Sequence, residues 1–194
     1  MYDLMRILGQ LAQLAEHINQ APLGIKQGST YLFQALAVLV YDLLAMSQPL
    51  THHTSALLAT GTKGSIAVRE AVRLTALIYV TTVLTKSSGD ELYCPKKYQG
   101  AIRRVVSATN DSDWAGLEQL KLWVLVIAAL SSDGENRHWM IDRISPLMST
   151  YGWVSWDELL IQLRYIAWND ALATEEQQAL KTQINERFGA TVSS

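Results

Sequence analysis

Arg137, His138 and Trp139, with Asp142 following, bring four chemically capable side chains into six residues within a short distance of a run of apolar ones. On a helix His138 and Asp142 are four residues apart, so they share a face and can form the imidazole–carboxylate contact that orients a general base. The same two residues also make an ordinary surface ion pair, and that reading carries more weight. Arg137 adjoins the apolar segment Leu122–Leu130, and Arg73 lies inside another, "AVRLTALIYV". A guanidinium in such surroundings must find a carboxylate or carbonyl partner, because an unpaired buried charge is too costly. Glu70, three residues before Arg73, and Asp142, five after Arg137, are local candidates for structural pairing. The alternative is that these arginines grip an anionic or carbonyl group on a ligand. Asp42 is the only charge in "LVYDLLAM" and would serve as an acid or ligand anchor if buried, or pair with an arginine if not.

All six tryptophans, at 114, 123, 139, 153, 156 and 168, fall in the second half of the chain. Clustered indoles fill a core, and they also line pockets for flat apolar molecules. Trp139, Trp153 and Trp156 flank loops and are the ones expected to touch a cavity. A candidate ligand site therefore comprises Trp139, Trp156, Arg137, His138 and Trp153, with Asp42 and Arg73 as outlying anchors. Its occupant would be an apolar or aromatic metabolite with one anionic or carbonyl group, stacked on Trp139 or Trp156 and met by Arg137.

Other chemistries have less support. His52 and His53 are adjacent and would diverge by roughly 100° on a helix, with no carboxylate or thiol at ligand spacing, so no metal site is expected. No cofactor motif and no catalytic signature is present. Cys94 is the single cysteine; it cannot form an internal disulfide, which points to a reducing compartment. Lys96, Lys97, Arg103 and Arg104 form a basic face, read first as solvated, then as a site for an acidic partner or an import signal. The net charge of −2 offers no field for a phosphate backbone, so direct nucleic-acid binding by this chain is not expected.

Elements that would position these residues follow from composition and period. With 194 residues, 49% apolar and 18% charged, the chain is expected to form one packed domain over 1–194. No apolar run approaches the roughly 20 residues of a membrane span. The start "MYDLMRILGQ" lacks a basic leader and long apolar core, so no export signal is expected. Leu4, Ile7, Leu11, Leu14, Ile18 and Ala21 recur by three and four, predicting a first helix over Tyr2–Gln20 whose stripe could join two copies of the chain or face its own core. The segment Thr30–Met46 is apolar nearly all round and predicts a central helix. Ser65–Leu84 predicts a long helix after Gly61 and Gly64, which read as breakers around a weakly helical "SALLA". Basic and polar helical segments lead into a helix from about Asp113 to the apolar run's end, with Leu122–Leu130 at the centre of the fold. Capping boxes are expected at Ser132/Glu135, Ser155/Glu158 and Thr174/Gln177. Pro146 should kink or shorten the helix after Glu135, and Gly189 should close the last. The fold class is all-α, a compact bundle of about eight helices.

Three ordered segments, Ala71–Leu84, Leu117–Ile144 and Trp153–Trp168, resemble the fungal-specific transcription factor domain, the helical regulatory region C-terminal to a zinc binuclear-cluster module. Arg73, Leu74, Leu77, Ile78 and Tyr79 match one family motif. Leu122 to Leu125, Arg137 with Trp139, and Ser155 with Trp156 match the others in order. The resemblance implies a regulatory domain that senses a small molecule or partner protein, with nuclear localisation; otherwise the chain is expected to be cytoplasmic. The six cysteines of the family's DNA-binding module are absent, so the chain reads as a regulatory part of a longer protein or a stand-alone relative. As a relative it could be a metabolite-binding protein or metal-free enzyme on the same scaffold, or a dimerisation domain.

Overall fold

A computed structural model describes residues 2–20, 30–46, 60–88, 98–170 and 175–192. Two helices organise it. The first is α3 (Thr60–Ser88), in which ten consecutive residues, Ala71 to Val80, are buried. The second is α5 (Glu118–Leu130), in which Leu122 to Ala129 are all at most 3% exposed. A helix buried on every side has no polar face to present, which is why both segments lack an amphipathic period. The two pack on each other. Around α3 lie α1 (Tyr2–Gln20), α2 (Thr30–Ala45) and α4 (Gln99–Ser107); around α5 lie α6 (Gly134–Tyr151), α7 (Trp156–Arg164) and α8 (Glu175–Val192). The protein is all-α, with eight α-helices and no strand among the described residues, and its buried side chains form a continuous apolar cluster.

The central position expected for Thr30–Met46 belongs instead to α3. In α2 only Leu32, Leu36, Leu39 and Leu43 are buried, while Tyr31, Val38, Tyr41 and Leu44 are more than half exposed. Its apolar residues thus exceed what one buried face can hold. The α1 stripe points inward: Ile7 and Leu11 are fully buried, and Leu4, Leu14 and Ile18 nearly so. A homodimer through that seam would require α1 to leave its own core. Gly61 and Gly64 do not break the chain but lie in the first turns of α3. A Cβ at Gly64 would collide with the carboxylate of Asp113, so this glycine permits a close approach of the 110–114 segment.

The helix expected from Asp113 is divided. Asp111–Trp114 forms a short 3-10 turn, with Asn110 and Asp113 capping each other reciprocally. Gly116 then takes φ +75°, and α5 starts only at Glu118. Positive φ suits glycine because it has no Cβ to clash. Ser155 caps α7 by accepting the Glu158 amide, while the Glu158 carboxylate accepts from Val154. Ser132 is not a cap: Asp133 occupies that position, and the Ser132 hydroxyl is buried without a partner. α6 runs through Pro146 to Tyr151 and ends at Gly152 with φ +70°. α8 continues past Gly189 to Val192. "SALLA", His52, His53, Cys94, Lys96, Lys97 and Thr174 lie outside the described residues.

Candidate functional site

The predicted site residues are dispersed, and most serve the fold. Arg73 is 3% exposed and fully engaged: Nε and Nη2 donate to the two carboxylate oxygens of Glu70 at 2.8 and 2.6 Å, and Nη1 donates to the Leu43 carbonyl at 3.0 Å. A two-pronged ion pair on α3 thereby also satisfies a carbonyl at the C-terminal end of α2, where helices leave acceptors without partners. Asp42 is a quarter exposed and pairs with Arg6 of α1 at 2.9 Å, which ties α1 to α2. Arg137 uses Nε to bond the carbonyls of Ala129 and Ser132 at 3.2 and 2.8 Å, capping the end of α5 with a positive charge.

His138 is exposed, and its Nδ1 meets the Gly134 carbonyl at 2.8 Å. Asp142 pairs instead with Arg187 of α8 at 2.6 Å, and His138 bonds Gly134, so neither the base-orienting contact nor a surface pair joins His138 to Asp142. Trp139 lies against two guanidinium groups, Arg143 at 3.5 Å and Arg103 at 5.6 Å from its ring centre. Trp156 is 2% exposed and meets Trp168 edge-on, with ring centres 6.4 Å apart. Trp123 donates to the Ala167 carbonyl at 2.7 Å and abuts Tyr79. Trp114, Trp123, Trp156 and Trp168 are therefore core residues, and their indole bodies account for much of the buried apolar volume.

One predicted residue does border a cavity. Trp153 stacks on Tyr151, ring centres 5.2 Å apart, and both line a cleft of about 470 Å³ between α1, the start of α5 and the exits of α6 and α7. From α1 the cleft takes Leu8, Gly9 and Ala12; from the far side it takes Tyr165 and Ile166. The volume is that of a pocket for a small organic molecule. Part of its α1 wall is made of small residues, and a Cβ at Gly9 would meet no atom within 4 Å. Tyr165 and Tyr151 are 70% and 44% exposed, so aromatic surface also rims the opening.

The polar groups of the cleft are concentrated at Glu118. Its Oε1 accepts from the Gly116 amide at 2.9 Å. That bond, the residue's own amide and the Tyr151 hydroxyl together hold the carboxyl below the ordinary glutamate range, so it stays ionised at neutral pH. The Tyr151 hydroxyl is pushed up, by desolvation first, then by its bond to Glu118 and the charges of Glu118 and Asp111. Gln119 adds an amide, bonded to Gln162 at 2.8 Å. Among the described residues no lysine, arginine or histidine lines the cleft. Glu118, Tyr151, Tyr165 and Gly9 were not singled out from the sequence. Gly9 was the available signal, because glycine in a helix interior is unfavourable unless its missing side chain is used.

Among the described residues no group of His, Cys, Asp and Glu could hold a metal ion, and no helix is long and apolar enough to cross a membrane. A wholly helical scaffold with two encircled helices and a side cleft is the class of domain in hand. The model of the fungal specific transcription factor domain matches residues 1–161, and the chain belongs to this family, whose members have a regulatory role in fungal transcription factors. The match reaches beyond the segments that carried the resemblance to include α1 and α2, and hence the α1 wall of the cleft. No curated protein and no solved structure matches the chain.

Proposed function

We propose that this domain regulates transcription in the nucleus by reading a small molecule through the cleft between α1 and the α5–α7 end. The observation that carries the reading is the position of the cleft at a junction between helices. α1 is pinned near its C-terminal end, where Asn19 donates to the Trp168 carbonyl at 2.7 Å and accepts from the Asp170 amide at 2.9 Å. Nearer the start of α1, Met5, Leu8, Gly9 and Ala12 line the cleft together with Tyr151 and Trp153. A molecule filling that space bridges α1 to the α5–α7 end and favours one setting of α1. Its regulatory effect equals its differential affinity for the two settings.

Thermal-shift screening of a metabolite library tests this. A ligand at a hundredfold excess over its dissociation constant stabilises the native state by about 2.7 kcal/mol. A hit should lose its effect in Gly9→Phe, which fills the cleft from α1, and keep it in Arg137→Ala. A hit abolished by Arg137→Ala and indifferent to Gly9→Phe would return the site to the Arg137–Trp139 region.

A further inference from the structure

We propose that the cleft takes an apolar molecule bearing a positively charged ammonium group, rather than the anionic or carbonyl ligand that the arginines of the sequence suggest. The inference rests on the reading of the cleft as a ligand site and adds the chemical class of its occupant. Three aromatic residues, Tyr151, Trp153 and Tyr165, line the same space as one carboxylate, Glu118, with no cationic side chain among the described lining residues. Ring faces carry negative potential and attract organic cations, most effectively where alkyl groups on nitrogen weaken hydration. The carboxylate adds a full charge of the right sign at one end, and it is held in place by the Gly116 amide rather than by a neutralising cation.

Two described cations beside the lining residues are committed elsewhere. Lys121, one turn after Glu118 on α5, bonds Asp111 at 2.6 Å, and Arg6, next to Met5, bonds Asp42 at 2.9 Å. Leu8, Leu117 and Ile166 supply apolar wall for the body of the molecule. An anion would meet Glu118 with no cation among the described lining residues to offset the repulsion.

The test compares three probes of similar shape: benzyltrimethylammonium, its neutral carbon isostere neopentylbenzene, and benzylsulfonate. Binding to the whole chain is followed by calorimetry and by amide NMR shifts at Gly116, Glu118 and Trp153. The cation should bind about tenfold more tightly than the neutral isostere, the anion more weakly than either, and the cation's advantage should vanish in Glu118→Gln. Gly9→Phe should remove binding of all probes while leaving the circular dichroism unchanged; Gly9→Leu serves the same purpose if the larger residue disturbs folding. Equal binding of cation and neutral isostere, lost in Gly9→Phe, overturns the ammonium assignment and leaves the cleft as a ligand site. Tighter binding of the anion overturns it as well. Absence of binding by every probe, together with library hits that ignore Gly9→Phe, overturns both the assignment and the cleft.

Discussion

Arg73 shows what a single buried charge does in this protein. It lies among the ten buried residues of α3, yet each of its three nitrogens reaches an acceptor: two on Glu70 and one on the end of α2. Breaking a buried pair by removing one partner leaves the other charge unpaired, at a cost of about 3–5 kcal/mol. Arg73→Met should therefore lower stability by about that amount in urea unfolding, whereas the double change Glu70→Leu with Arg73→Met should restore most of it. A double variant as unstable as the single would mean that the Leu43 carbonyl, and not Glu70, is what Arg73 serves. This pairing was legible because the two residues are three apart on a predicted helix. The roles of Arg137 and Asp142 were not, since each partner depends on tertiary placement: the end of α5 for one, α8 for the other.

At the scale of the element, period decided some helices and misled on others. The three-and-four spacing in α1 marks its buried face correctly, but spacing alone does not say whether that face meets the chain's own core or a second copy. In the structure it meets the core, with Leu11 fully buried and Leu14 7% exposed. Leu11→Glu with Leu14→Glu places two carboxylates in apolar surroundings, each costing several kcal/mol, against a total stability of about 5–15 kcal/mol for a domain. Loss of the helical circular dichroism signal is the expected result; a folded monomer would restore the intermolecular seam. For α2 the sequence was uninformative about position, because an unbroken apolar run is compatible with burial on all sides or on one. Its exposed Tyr31, Val38, Tyr41 and Leu44 show that the contest for the central place was won by α3, which is longer and touches α1, α2, α4 and α5. The divided start of α5 was hidden for a different reason: the turn depends on Gly116 adopting positive φ, and a single glycine between Ala115 and Leu117 is a weak signal.

For the whole molecule, the all-helical class and the central place of Leu122–Leu130 followed from composition and from the length of the apolar run, whereas the cleft did not, because it is made by four separated segments. The family match ends at residue 161, but the folded unit extends further. Leu180 and Ile184 of α8 are fully buried, and α8 packs on α5, α6 and α7. A chain ending after Ile161 should accordingly bind a hydrophobic dye and lose its cooperative melting transition, because part of the α5 surface would be left uncovered. A sharp transition like that of the full chain would show that α8 is an ornament on a core complete without it.

The encirclement of α5 also has a consequence in time. Of the helices that pack most closely on it, α3 precedes it in the chain, whereas α6, α7 and α8 are synthesised afterwards. About 45 residues separate the end of α5 from the start of α8. At about 5–20 residues per second, translation needs roughly 2–9 s to cross that interval. During that interval a helix whose residues Leu122 to Ala129 are all buried in the finished fold lacks its last cover, so "LWVLVIAAL", once it clears the ribosome, is open to whatever chaperone stands at the exit. Codon choice over that stretch, which leaves the finished protein unchanged, then becomes a determinant of how much of it is made correctly.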